Sequence, residues 1–370
     1  MLVISGAASP ILKAQVIRMN EIQVIGSHNS YHKGLGPNEM AFLRTQNARA
    51  AEAVDYTHPA LTVQLDAGVR QLEIDVYGDA KGGLFAKPAW PELMAKAGVA
   101  LDAPFDPAGL MLKPGFKVLH AQDLDYRSNC QPFVGCLQEV RAWSRAHPRH
   151  LPIFILIENK DGRPRPEFMV EPEALTTGTF DRLDAEIRSI FPAAELITPD
   201  DVRGRFETLE KAVLTSGWPP VESSRGKVMF MLDQERVGPL VLRGHPSLKG
   251  RVVFTNSTPG NPDAAFVKMN NPAVDKIAEA VKKRYLVRTM SDPGAAGVKA
   301  GETIRRDAAL ASGAQMVSTD YPFDWKAAGS GYAVRFEGSE TVRCNPVLKA
   351  SVCKLDLLGE PASVGRVTGR

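Results

Sequence analysis

With 370 residues, 44% of them apolar and 24% charged, the chain can bury a large core, yet no apolar run is long enough to span a membrane. A formal net charge of +3 is too small to point to nucleic acid, although a locally positive mouth can still attract a phosphorylated group. Residues 1–10 lack the positive, apolar, cleavable pattern of a leader, so a mature start and a processed one both fit.

Strands and helices alternate along the chain. Residues 22–25 form the first expected strand and lead into Gly26-Ser27-His28-Asn29-Ser30-Tyr31. The second, 69–76, alternates Leu72, Ile74 and Val76 with Glu73 and Asp75. A Pro- and Gly-rich excursion over 82–112 follows, with a helix at 90–97. The third strand, 116–119, ends in His120 and Asp123. After a helix at 135–147 comes 151–157, a continuous apolar run ending in Glu158 and Lys160 and suited to a strand covered on both faces. A helix opening at Pro172 repeats Leu175, Phe180, Leu183 and Ile187, and another is expected over 206–214. The remaining strands are 228–232, ending at Asp233; 252–254; 285–287, ending at Arg288; and 315–318, with Tyr321 just beyond. Helices from 272 to 281 and from 302 to 311 separate the last three.

Eight strands alternating with helices predict an α/β fold, a distorted TIM-like (β/α)8 barrel over residues 20–325. Residues 326–370 read as a small C-terminal appendage with no catalytic domain of its own, in which 332–336 pairs with 352–357. The four cysteines fall into two local pairs, Cys130 with Cys136 and Cys344 with Cys353. Neither spacing suits zinc. Two disulfides are expected, and with them a secreted or periplasmic protein.

The polar residues concentrate where strands end. Residues i and i+2 of a strand share a face, so Glu73 and Asp75 can enter the mouth together. Asn29, Glu73, Asp75 and Glu158 offer four oxygen ligands from three strands, a set that suits a hard cation and tolerates calcium better than magnesium. His28 and His120 can supply an electrostatic stabiliser and a general acid near neutral pH. Lys160, Asp233, Arg288 and Tyr321, each at or just beyond a strand end, are candidates for binding a substrate at the same mouth. Phe85, Trp90, Pro91, Leu93 and Met94 form an apolar set that either touches a membrane or packs as a satellite core.

The ordered constellation of His28-Asn29, Glu73-x-Asp75, His120 and Glu158 resembles the calcium-dependent phosphoinositide-specific phospholipase C family, in a compact bacterial form. The resemblance covers roughly residues 20–325. It implies two histidines flanking a phosphodiester, the other four groups around Ca2+, and attack by the inositol 2-hydroxyl with either Glu73 or Asp75 as base. Phosphatidylinositol would give diacylglycerol and a cyclic, then acyclic, inositol phosphate. The expected protein is a monomer with peripheral membrane contact and no nucleic-acid partner. Two other readings are a glycerophosphodiester phosphodiesterase, disfavoured because arginine rather than Asn29 would follow its first histidine, and a non-catalytic lipid- or sugar-binding barrel.

Overall fold

A computed structural model describes residues 16–162, 168–322, 330–338 and 340–360. Ten strands occur among them: β1 Ile22–Ser27, β2 Gln71–Tyr77, β3 Lys117–Val118, β4 Ile153–Lys160, β5 Val228–Leu232, β6 Val253–Phe254, β7 Phe266–Lys268, β8 Leu286–Met290, β9 Met316–Thr319 and β10 Val342–Cys344. Eight are parallel neighbours in the order β6-β5-β4-β2-β1-β9-β8-β7. A lone parallel bridge between Asn256 and Phe266 spans the two ends of that path. The result is a nearly closed TIM-like barrel, distorted where the Asn256 side chain, accepting from Lys268 N at 3.0 Å, replaces a ladder.

Two departures from the expected strands share one cause. Residues 116–119 are not a barrel stave: β3 pairs antiparallel with the end of β2, Val76 opposite Val118. The stave in question is instead β7, three residues long and too short to show a period. Apolar content identifies a strand but carries no information on its direction or neighbour.

The strands are fully buried along their apolar stretches, and helices such as Phe133–Ala146 and Thr177–Ile190 turn their apolar stripes onto them. Chain polarity puts His28, Glu158, Asp233, Arg288 and Asp320 at the same, C-terminal end of the barrel.

The tail does not form the expected hairpin. Val342–Cys344 pairs antiparallel with β1, and Leu355–Leu358 is a short helix. Tyr332 and Phe336 pack with Ile25, Val298 and Val317. Both disulfides are present, Cys130–Cys136 and Cys344–Cys353. The apolar set of the excursion faces inward: Trp90 and Met94 pack with Met40, Leu43 and Tyr126, and Phe85 with Tyr77, Met111 and Leu119. Among the described residues no helix is long and apolar enough to cross a membrane.

Candidate functional site

Register assembles the acidic part of the mouth. In the parallel pairing of β2 with β4, Glu73 lies opposite Leu156, Asp75 opposite Glu158 and Tyr77 opposite Lys160. Carboxylate oxygens of Glu73, Asp75 and Glu158 fall within 4.8 Å of one another. Asp75 is wholly buried, and neither of its oxygens makes a well-formed hydrogen bond. Burial pushes its carboxyl above the usual carboxylate range, against the pull of the Lys160 ammonium. Lys160 Nζ stands 2.9 Å from Asp75 Oδ2 and 2.9 Å from Glu158 Oε2. Gln234 Nε2 donates to Glu158 Oε1 at 3.3 Å.

The turn after β1 supplies the next two groups. Asn29 adopts a left-handed conformation, φ 46°, which asparagine tolerates better than most side chains. His32 N closes the turn on Asn29 O at 2.8 Å. Asn29 Nδ2 donates to the Tyr56 hydroxyl at 2.8 Å, while its Oδ1 is buried without a partner. Three clustered carboxylates, with the unpartnered Asn29 amide oxygen as a further donor, are oxygen ligands of the kind that suit a hard cation such as calcium.

His28 is held between two acids. Its Nδ1 bonds Asp320 Oδ1 at 2.8 Å, and its Nε2 lies 3.7 Å from Glu73 Oε1. Burial alone would lower the imidazole, but Asp320 and then Glu73 outweigh it and push it up to about 9, so His28 is cationic at neutral pH. Behind it, Asp292 accepts from Asp320 N at 2.7 Å and from the Tyr332 hydroxyl at 3.1 Å. His58 Nε2 donates to His28 O at 2.8 Å; burial drives this imidazole down to about 4, and it remains neutral.

His120 is oriented by Asp125, whose Oδ2 accepts from His120 Nδ1 and from His32 Nε2, each at 2.8 Å. Burial opposes ionisation of Asp125, yet the two imidazoles hold its carboxyl down to about 2. For His120 burial again lowers and Asp125 raises, with a net rise. His32, His120 and Asp125 are also close enough to share a metal. Two imidazole nitrogens make that trio a poorer seat for calcium than the carboxylates.

The remaining candidates have diverse placements. Arg288 is buried rather than solvent-facing: it pairs with Glu73 Oε2 and Asn270 Oδ1 and donates to Ser318 Oγ at 3.0 Å. Asp233 pairs with Lys268 Nζ, 2.5 Å away. Tyr321, with Tyr56, Asp292 and Asp320, lines a cavity of about 480 Å³. Asp123 holds loops, accepting from Ala89 N at 2.8 Å and Val170 N at 2.5 Å. Sequence reasoning passed over Asp125, Asp320, His32, Tyr56 and Lys268. Asp320 had a signal, since it lies two residues beyond the last expected strand. His32 and Tyr56 lie in loops with none.

The model of the family described as "Phosphoinositide phospholipase C, Ca2+-dependent" matches residues 17–346. No curated protein matches the chain. Among solved structures, a calcium-dependent phosphoinositol-specific phospholipase C from a Gram-negative Pseudomonas species superposes with TM-score 0.55 at 16% identity, covering 89% of this chain and 95% of that one. Its myoinositol complex gives TM-score 0.54 at 16% identity, with the same coverage of 89% and 95%. A Ca2+-dependent phosphatidylinositol-specific phospholipase C from Streptomyces antibioticus gives 0.50 at 20% identity, covering 82% and 95%. At these identities the superpositions establish likeness of fold.

Proposed function

The chain belongs to the calcium-dependent phosphoinositide phospholipase C family, matched over residues 17–346, and on that premise we propose that it cleaves phosphatidylinositol to diacylglycerol and an inositol phosphate. The observation that carries this reading is the packing of Glu73, Asp75 and Glu158 within 4.8 Å, with the cationic His28 alongside. Asn29 Oδ1 and the three carboxylates would hold calcium. Calcium bound there supplies positive charge that acidifies a nearby hydroxyl and offsets charge on a phosphoryl group.

The chain's own residues divide the remaining work. One of the two inward carboxylates of β2, Glu73 or Asp75, takes the proton of the inositol 2-hydroxyl as it attacks phosphorus. His28, kept protonated by Asp320, faces the charge that accumulates on the phosphoryl oxygens. His120, with Nδ1 engaged by Asp125, presents Nε2 to protonate the departing glycerol oxygen. Holding these groups around one phosphodiester makes the attack effectively intramolecular. Two disulfides support action in an oxidising compartment, outside the cytosol. We further propose a monomer that meets lipid at the mouth. The exposed Leu112 and Phe168, on the connections after β2 and β4, support that contact in place of the buried Trp90 set.

A quenched time course on phosphatidylinositol, followed by phosphorus NMR and lipid mass spectrometry, tests the reading. Diacylglycerol with a cyclic inositol phosphate is expected, suppressed by chelation and restored better by calcium than by magnesium. Phosphatidic acid with free inositol would reverse the bond assignment, and full turnover in metal-free protein would remove the cation.

A further inference from the structure

Asp75 and Glu158 stand side by side in the β2–β4 register, one fully buried and the other half-buried. Two carboxylates so placed repel each other unless a cation lies between them. One does. Lys160 is two residues beyond Glu158, on the same face of β4, and its Nζ reaches 2.9 Å from an oxygen of each acid. The carboxylate pair that would bind calcium thus already holds a positive charge supplied by the chain.

We propose that the Lys160 ammonium is an internal cation that fills the Asp75–Glu158 pair in the metal-free protein and has to leave before calcium binds there. The inference rests on these carboxylates being the calcium ligands. Both cations need the same oxygens, and an ammonium within contact of each would face a divalent ion at close range. Calcium binding is therefore an exchange, and its affinity is reduced by what it costs to expel the ammonium. A route out exists. The Lys160 side chain is 20% exposed, its stem is flexible, and a Cβ built on Gly162, two residues on, would meet nothing within 4 Å. Once displaced, the ammonium is free at the mouth, where it can meet a substrate phosphate. The same side chain thus guards the site when metal is absent and faces the substrate when metal is present.

The exchange is tested without reference to turnover, by calorimetric calcium titration of wild type, Lys160→Met and Lys160→Arg, together with thermal unfolding in chelator and in calcium. Lys160→Met is expected to bind calcium at least about tenfold more tightly, because the competing charge is gone. It is also expected to unfold at lower temperature in chelator and to gain more from calcium than wild type does. Lys160→Arg, which keeps the charge, is expected to stay close to wild type. Equal or weaker calcium affinity in Lys160→Met would overturn the exchange while leaving the calcium ligands in place. No calcium binding by wild type at millimolar concentration would instead overturn the ligand assignment and the exchange with it. Should Lys160→Met fold only with calcium present, release into excess chelator replaces the titration. Slower release than from wild type supports the exchange, and equal or faster release rejects it.

Discussion

Asp125 divides a single carboxylate oxygen between two imidazoles, and this fixes what each can do. His120 is committed at Nδ1, so Nε2 is the nitrogen free to act as the acid in the proposed mechanism. Asp125→Asn keeps the shape but removes the charge that raises His120. We expect turnover to fall by about 10²-fold, the lower end of what a positioned general acid contributes, with little change in KM. The sign of the pH effect is fixed as well. A raised imidazole stays protonated to higher pH; without Asp125 it loses its proton earlier, so the alkaline limb of kcat moves to lower pH. A profile unchanged in position would show that Asp125 does not act through His120. This partner was hidden in the sequence for a local reason. Asp123 is nearer to His120, but its left-handed backbone, φ 66°, points it to Ala89 and Val170 and returns Asp125 to the histidine. By contrast the sequence singled out His28, Asn29 and Glu158 because they follow or close an apolar strand run, and Glu73 and Asp75 because they share one face of β2. The structure places the three carboxylates together, with His28 3.7 Å from Glu73.

The seam between β1 and β2 sets how far His28 stands from Glu73, and it is narrow. Only Gly26 and Gln71 are paired in register, and Ser30 extends the contact: its N donates to Glu73 O at 2.9 Å and its Oγ accepts from Glu73 N at 2.8 Å. A Cβ on Gly26 would come 2.1 Å from Gln71 Oε1 and 2.8 Å from Gln71 Cβ. Gly26→Ala is therefore expected to cost about 1–3 kcal/mol, as overpacking in a core does, and to lower the denaturant midpoint. If Gln71 can swing away instead, stability stays at the wild-type level and the seam is looser than its geometry indicates. Strand pairing is where the sequence ran out. It supplied the count of eight barrel strands but assigned one to residues 116–119, whose run is apolar yet antiparallel, and overlooked Phe266–Lys268, whose three residues sit between alanines and a polar turn. A short strand reports its burial, while its neighbour is chosen by contacts far away in the chain.

At the scale of the whole molecule, the described C-terminal segment is tied to the barrel in two places by groups that no local pattern announces. At one end of the sheet Tyr332 reaches Asp292 behind the His28–Asp320 pair. At the other, Glu360 pairs with Arg70, and its Oε1 also accepts from Leu151 N at 2.7 Å. Arg70 is buried and stacks its guanidinium 5.0 Å over Trp143, so the pair is shielded from solvent. Burial of Glu360 works against ionisation, but Arg70 overcomes it and holds the carboxyl below its ordinary range. A group lowered in this way adds stability above its unfolded pKa and loses it as pH falls through the folded one. Glu360→Gln is accordingly expected to be destabilised by about 2 kcal/mol at neutral pH, the scale of a charge-assisted bond. The gap should then shrink as both proteins are taken below the ordinary glutamate range, where wild type also loses the charge. Other carboxylates titrate in the two proteins alike, so the difference between their urea midpoints at neutral and acid pH isolates Glu360. A gap that stays constant across that range would mean the tail is held by packing of Leu358 against the core rather than by the Arg70 ion pair.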